Sequence, residues 1–340
     1  MQDHVLGAAP RKIVGFDRWG FRNREVPESA DIVAIGDSHT YGNAARMEDS
    51  WPYVLGRLTG RRVYNLAMGG YGPNQYYYLL KNRALSLKPR LVICGLYLGD
   101  DFENAFTITY GLDYWAYLRK LPGRKVDYDI WWASMAPGKG WNKGSRVWLS
   151  RHSVAYQLLF HVSSLGRLEG EVQIRDAARF DHTATSLNLP GKNILEAFHP
   201  AGMLERLDQN STDVQEGMRI TFQLLNGMNE ICHQNHAQFL VVVIPTKEMV
   251  FADYLEHKPD LPLSDVVDKL LVNERLAMQK TAQFFTDSNI AYVDALPALQ
   301  RSAEHQLYAR TASDMHPNKN GYRVIAEAAF EALKQSEEKK

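Results

Sequence analysis

The chain has 340 residues and a mass of 38.7 kDa, with 45% hydrophobic and 23% charged residues. This composition is typical of a globular protein, and it excludes an intrinsically disordered chain, a collagen and a disulfide scaffold. Lysine plus arginine and aspartate plus glutamate both number 39, so the net charge is zero and a general nucleic-acid-binding surface is not expected. With two cysteines, Cys94 and Cys232, neither a disulfide framework nor a cysteine-rich metal site is predicted.

The N-terminal residues contain no apolar stretch of signal-peptide length. No run of the sequence approaches the roughly 18 apolar residues that a spanning helix needs, so no transmembrane helix is predicted. The compartment, whether cytoplasmic or periplasmic, and the oligomeric state are left open at this stage.

Short apolar runs alternate with amphipathic segments along most of the chain. Strands are predicted at 31–35, 62–66, 90–98, 238–245 and 290–295, and helices at 51–59, from 73, at 213–235, at 264–286 and at 317–334. This alternation predicts an α/β fold, a flavodoxin-like three-layer α/β/α arrangement with a five-stranded parallel sheet in the order 2-1-3-4-5. Ligands of such sheets bind beyond the carboxyl ends of the strands, and Ser38, Gly70 and Asp100 all follow predicted strand ends.

The segment 106–212 breaks this rhythm and is too long for a simple connection. We interpret 1–105 together with 213–340 as the α/β domain, and 106–212 as a long aromatic-rich insertion or cap. Its tryptophans either pack a small core of their own or form a wall for a sugar or acyl group. They are Trp115, Trp131, Trp132, Trp141 and Trp148.

A candidate nucleophile and base lie at opposite ends of the chain. Ser38 follows the first predicted strand in a tight turn, and a serine hydroxyl needs a neighbouring base to become nucleophilic. His316 precedes the last predicted helix, and the parallel sheet would bring it near the strand end that carries Ser38. Asp314 lies two residues before His316, from where its carboxylate would hold the imidazole in the required tautomer.

Four motifs surround these residues in order along the chain. They read IGDSHTYG at 35–42, NLAMGGYGPNQ at 65–75, GLYLGDDFENA at 95–105 and DMHPNKNG at 314–321. In this order and spacing they resemble the SGNH/GDSL hydrolase family of serine esterases and O-acyltransferases, and the resemblance covers most of the chain outside the insertion.

The resemblance implies a role for each matching residue. Ser38 would be the nucleophile and would also donate its backbone N–H to the oxyanion, as would the N–H of Gly70. His316 would be the base and Asp314 its orienting acid. The family more often places that acid three residues before the histidine, where this chain has Ser313. The D-x-H form occurs in members that act on cell-surface polysaccharides, and IPTKEMVF at 244–251 also resembles those members.

One position departs from the family pattern. The third motif normally supplies an asparagine amide to the oxyanion, whereas this chain has Asp100 followed by Asp101. An ionised carboxylate only accepts hydrogen bonds and would repel the developing negative charge. Three interpretations are open: Asp100 is protonated in a dry site, Asn74 or Asn104 donates instead, or the protein is a weak or inactive member of the family.

The expected function is a serine-dependent ester hydrolase that removes small acyl groups from carbohydrate or related esters. The alternatives are a polysaccharide O-acyltransferase and a catalytically degenerate module that binds a glycan or protein. No cofactor and no metal is predicted, because the acidic residues around Asp100 lack the ligand spacing of known calcium loops. His39 directly follows the nucleophile and either lines the pocket or lies on the helix surface.

Overall fold

The computed structural model describes residues 2–8, 16–134, 185–189, 194–261, 263–309 and 314–338. The strands are β1 Gln2–Asp3, β2 Gly7–Ala8, β3 Ile32–Ile35, β4 Val63–Asn65, β5 Leu91–Tyr97, β6 Thr185–Leu189, β7 Ile194–Phe198, β8 Gln238–Ile244 and β9 Ala291–Asp294. The helices are α1 Ser38–Tyr41, α2 Trp51–Thr59, α3 Pro73–Asn82, α4 Asp101–Gly111, α5 Tyr128–Ser134, α6 Pro200–Leu207, α7 Thr212–Gln234, α8 Lys247–Val250, α9 Ala252–Leu255, α10 Ser264–Asp287, α11 Leu296–Arg301 and α12 Lys319–Glu338. Short 3₁₀ helices occur at Met47–Asp49, Ala84–Leu87 and Asp113–Leu118.

One five-stranded parallel sheet organises the chain. Its spatial order is β4-β3-β5-β8-β9, which is 2-1-3-4-5 when the strands of this sheet are counted along the chain. The predicted α/β fold class is therefore confirmed. β5 lies at the centre, where Cys94 pairs with Ile35 on one side and with Val241 on the other. All seven residues of β5 are buried, because helices cover both faces of a parallel sheet, and this burial explains the uninterrupted apolar run in the sequence.

Helices cover the sheet on both faces and make three layers. Successive side chains of a strand point to opposite faces, so neighbouring residues of β3 enter different cores. Val33 packs in the core that α3 and α7 cover, together with Leu225 of α7. Ile32 packs in the opposite core, which α2 and α12 cover, together with Ile325 of α12. Because helices cover both faces of the sheet, the carboxyl ends of its strands form the edge at which loops meet.

The residues after α4 pack mainly through aromatic rings. Trp115 is buried in a third cluster with Tyr110 of α4 and Leu224 of α7, and its indole N–H donates to the backbone oxygen of Val5 at 3.0 Å. Trp115 therefore belongs to a core and not to the wall of a binding site. Trp131 and Trp132 are half-buried, whereas Trp141 and Trp148 lie outside the described residues.

The sheet approaches α1 closely at Gly95. A Cβ atom at this position would lie 2.1 Å from Oγ1 of Thr40 and 3.3 Å from the ring of Trp51. We expect Gly95→Ala to lower the free energy of unfolding by about 1–3 kcal/mol, because an added methyl group overpacks this core. Gly202→Ala in α6 is the matched control, since nothing lies within 4 Å of its Cβ position. Urea denaturation of both variants would check this, and an equal or smaller loss for Gly95→Ala would contradict it.

Candidate active site

The turn after β3 presents Ser38 at the carboxyl edge of the sheet. Asp37 caps α1 by accepting hydrogen bonds from the backbone N–H groups of His39 at 2.9 Å and of Thr40 at 3.4 Å. Aspartate suits this position because its short carboxylate reaches the unpaired donors of the first helical turn. The cap fixes Ser38 as the first residue of α1, where its side chain is 8% exposed.

Asp314 and His316 form a hydrogen-bonded pair before α12. Oδ1 of Asp314 lies 2.6 Å from Nδ1 of His316 and also accepts the backbone N–H of His316 at 3.0 Å. Burial acts to raise the pKa of Asp314, but the hydrogen bonds and charge of His316 outweigh it, so this pKa is lowered. An ionised Asp314 fixes the proton of a neutral imidazole on Nδ1 and leaves Nε2 as a proton acceptor. Ser313, the alternative acid position, lies outside the described residues.

Ser38 and His316 each contact a different partner in this conformation. Among the described residues, the hydroxyl of Ser38 donates to Oδ2 of Asp37 at 3.4 Å, and Nε2 of His316 lies 3.4 Å from the amide nitrogen of Asn43. Hydrogen bonds between catalytic groups are often long or misaligned before substrate binds, so this geometry is compatible with a serine–histidine pair.

Asn43 is a site residue that the sequence analysis missed. Its backbone N–H donates to the oxygen of Ser38 at 3.1 Å, and its own backbone oxygen accepts from the hydroxyl of Tyr322 at 2.8 Å. These two bonds join the turn that carries Ser38 to α12. Its closeness to His316, 273 residues away along the chain, has no local sequence signal.

The ring of His39 lies between Tyr97 and His316 at the candidate site. The ring is buried, stacks on Tyr97 with 3.6 Å between ring centroids, and lies 4.7 Å from the ring of His316. Its Nδ1 is 3.0 Å from Oδ2 of Asp37. Burial lowers the pKa of His39 more than the charge of Asp37 raises it. A neutral His39 therefore packs its ring next to that of His316, and its burial excludes a position on the exposed surface of the helix.

The glycine-rich turn after β4 borders Ser38. Gly70 has a φ of 77°, a left-handed conformation that favours glycine. A Cβ atom on the preceding Gly69 would lie 3.6 Å from Cβ of Ser38. The turn is attached to the sheet, because the backbone N–H of Met68 donates to the oxygen of Gly36 at 3.2 Å. Backbone atoms of this turn thus lie beside Ser38, and the N–H of Gly70 stays our predicted oxyanion donor.

The two acidic residues after β5 have different environments. Asp101 accepts hydrogen bonds from the hydroxyl of Tyr76 at 2.7 Å and the backbone N–H of Tyr97 at 2.9 Å, so it joins α3 to β5. Oδ1 of Asp100 is buried and has no hydrogen-bond partner within the part of the chain that the structure describes. Burial raises the pKa of Asp100 well above its usual range, and the negative charge of Asp37 adds to this effect. This direction favours a protonated Asp100, which would be a hydrogen-bond donor.

The two asparagines proposed as substitute donors bond elsewhere. Nδ2 of Asn74 donates to Oγ1 of Thr109 at 2.9 Å, and Nδ2 of Asn104 donates to the backbone oxygen of Tyr71 at 3.4 Å. Both side chains are buried. One N–H of each amide is therefore bonded to another residue in this conformation.

Across the described ranges, no cluster of three or more histidine, cysteine, aspartate or glutamate side chains could hold a metal ion. Glu103, next to the two aspartates, instead pairs with Arg206 at 2.9 Å. In the same ranges no helix is long and apolar enough to cross a membrane.

No protein-family model matches the chain, and neither does any curated protein. Solved structures do match, and many are hydrolases of the GDSL type. An extracellular lipase from Streptomyces rimosus is 12% identical, with 90% of this chain and 99% of that chain covered and a TM-score of 0.42. A catalytic mutant of an acetylxylan esterase from Geobacillus stearothermophilus is 11% identical, with 91% and 95% covered and a TM-score of 0.41. A GDSL-like lipase from Bacteroides thetaiotaomicron is 10% identical, with 90% and 88% covered and a TM-score of 0.35. The chain is thus similar to GDSL-type hydrolases at low sequence identity.

Proposed function

We propose that this chain is a serine esterase of the SGNH/GDSL type that works through an acyl-enzyme. The observation that carries the proposal is the 2.6 Å contact between Asp314 and His316, formed at the same sheet edge as the turn that presents Ser38. A carboxylate that orients an imidazole beside a serine is the arrangement that activates a hydroxyl for attack on a carbonyl carbon.

The reaction would begin when the Ser38 hydroxyl leaves Asp37 and turns toward Nε2 of His316. Oγ of Ser38 attacks the ester carbonyl carbon while its proton moves to Nε2, and the carbonyl oxygen becomes an oxyanion. The backbone N–H groups of Ser38 and Gly70 donate to this oxyanion, as does Asp100 in its protonated form. His316 then returns the proton to the leaving alcohol, and water repeats the sequence to release the acid.

For the substrate we propose small acyl groups on carbohydrate or related esters, with the segment 106–212 as a cap beside the site. Two described contacts of this segment support its position. Glu196 of β7 pairs with Lys247, whose ammonium group contacts the backbone of Asp314. Arg206 of α6 pairs with Glu103, three residues after Asp100. A cap so close to both ends of the site would also favour transfer to a sugar hydroxyl over hydrolysis, because it would exclude water.

The test is to incubate the purified protein with p-nitrophenyl acetate and, separately, with a fluorophosphonate probe. We expect turnover, and we expect mass spectrometry to locate the probe on Ser38. Ser38→Ala should lose both, whereas the control Ser86→Ala, an exposed serine in a 3₁₀ helix, should keep both. A folded wild-type protein with neither turnover nor labelling would overturn the esterase proposal and favour a binding module.

Hydrolysis and transfer are separated by their products. An acetyl donor is supplied with and without an acetyl-free oligosaccharide, and acetate and acetylated glycan are measured. Formation of acetylated glycan at the expense of acetate would establish transfer, whereas acetate release that no glycan changes would contradict it.

A further inference from the structure

A buried lysine lies next to the histidine–aspartate pair and has no part in the mechanism above. Lys247 begins α8, directly after the cap residue Thr246, and its side chain is 1% exposed. Its Nζ lies 3.2 Å from Oε2 of Glu196 and donates to the backbone oxygen of Asp314 at 3.3 Å. The ammonium group also lies over the rings of Phe198 and Tyr308, at 5.5 and 5.6 Å from their centroids.

A charge at this depth is costly unless it is paired and hydrogen-bonded. Apolar residues of similar volume would fill the same space without that cost. The direction of the donor is therefore informative: one N–H of Lys247 points to the main chain of the residue that orients His316. Glu196 supplies the opposite charge and is itself held by the side-chain amide of Gln306.

The turn that carries Asp314 and His316 is fixed on two sides. On one side the backbone N–H of Ala309 donates to the oxygen of His316 at 3.1 Å, and the amide of Asn318 donates to the oxygen of Tyr308 at 3.0 Å. On the other side, Lys247 holds the oxygen of Asp314. Loss of the second attachment would let the carboxylate turn away from Nδ1 of His316.

Other carboxylates surround Lys247 without contacting this turn. Glu248 accepts the backbone N–H of His199 at 2.9 Å. Glu274 of α10 accepts the backbone N–H and the hydroxyl of Thr246, and burial raises its pKa to about 8. Glu274 therefore offers a matched control. It is a buried ionisable residue, and it bonds Thr246, the residue that directly precedes Lys247.

We propose that Lys247 is a positioning residue of the esterase site, which holds the main chain of Asp314 so that the Asp314–His316 pair faces Ser38. The inference rests on the proposed function. It also gives the segment IPTKEMVF a role, because this segment places Lys247 at the carboxyl end of β8, beside the catalytic turn.

The first test compares Lys247→Met with Glu274→Gln. Methionine keeps the length and apolar stem of lysine and removes its charge and donors. We expect Lys247→Met to lower kcat by about 10–100-fold with KM within about twofold, since a displacement on the order of 1 Å at a catalytic group costs about that much. Glu274→Gln should keep kcat, whatever its effect on stability.

A second variant removes the ion pair without leaving a buried charge. Lys247→Met combined with Glu196→Gln should show the same loss of kcat, and it covers the case in which the single variant does not fold. Either variant folded, with wild-type kcat, would overturn the inference.

The third readout does not require turnover, so it separates this inference from the proposed function. The proton of a short Nδ1–H···O bond to a carboxylate gives a far-downfield signal in the ¹H NMR spectrum. We expect this signal in the wild-type protein, in Ser38→Ala and in Glu274→Gln, and we expect its loss or broadening in Lys247→Met. An unchanged signal in Lys247→Met would overturn the positioning role even in a protein that hydrolyses no ester.

Discussion

Asp314→Ala is expected to lower kcat by about 10⁴, the loss that accompanies removal of an orienting aspartate from a catalytic triad. Oδ1 of Asp314 accepts from both the ring and the backbone of His316, so alanine frees the imidazole to rotate and to adopt the wrong tautomer. The measurement is the steady-state kcat of both proteins for p-nitrophenyl acetate at the same pH.

The same variant tests a stability effect of known sign. The pKa of Asp314 is lowered in the folded protein, so its ionised form stabilises the fold at pH values above its ordinary pKa. This contribution is lost as the pH falls through the lowered pKa. Asp314→Ala should therefore be less stable than wild type near neutral pH, with a smaller difference in strong acid. Ser313→Ala is the control for the acid assignment, and a larger loss of activity in Ser313→Ala than in Asp314→Ala would contradict it.

Asp100→Asn is expected to raise kcat/KM at alkaline pH by about 10²–10³, the effect of one oxyanion donor. Burial and the charge of Asp37 raise the pKa of Asp100, so the carboxyl group is protonated and donates at lower pH. As the pH rises through this pKa, the group ionises and then opposes the oxyanion. Since His316 must be neutral to accept a proton, wild type should show a narrow bell-shaped profile.

The side-chain amide that Asp100→Asn introduces would donate at every pH, which removes the alkaline limb and leaves the acidic limb of His316. Glu103→Gln is the comparison variant: the charge of Glu103, which pairs with Arg206, raises the pKa of Asp100, so its removal should move the alkaline limb to lower pH without abolishing it. The experiment is a pH profile of kcat/KM for the three proteins. A wild-type plateau through alkaline pH that Asp100→Asn does not change would mean that Asp100 points away from the oxyanion.

The sheet was predictable because each of its strands is bounded by turn residues and its central strand is buried on both faces. The strand predicted at 90–98 contains β5 at Leu91–Tyr97, and the helix predicted at 213–235 corresponds to α7 at Thr212–Gln234. By contrast, the pairing of β6 with β7 was not predicted, because β6 mixes polar and apolar residues and β7, which is mostly apolar, is only five residues long.

In the candidate site, the order of the motifs along the chain predicted the residues but not the directions of their side chains. The sequence did not distinguish Asn74 from Asn104 as the substitute donor. Only the structure shows that the amide of Asn74 bonds Thr109 and that of Asn104 bonds Tyr71. Asn43 and Lys247 contact residues far away in sequence, so no spacing rule connects them with His316 or Asp314. Such contacts depend on how the loops meet above the sheet.

The resting contacts of Ser38 and His316 have a kinetic consequence. The hydroxyl of Ser38 donates to Asp37, and Nε2 of His316 contacts the amide of Asn43. The proposed reaction therefore requires both groups to exchange partners before acyl transfer. The measured rate constant then contains an equilibrium constant for this exchange as well as the barrier of the chemical step. Each 1.4 kcal/mol or so by which the resting contacts are preferred divides the rate by about ten. A substrate whose carbonyl oxygen accepts a hydrogen bond from the Asn43 amide would release Nε2 of His316. It would thereby select the rotamer of His316 that reacts.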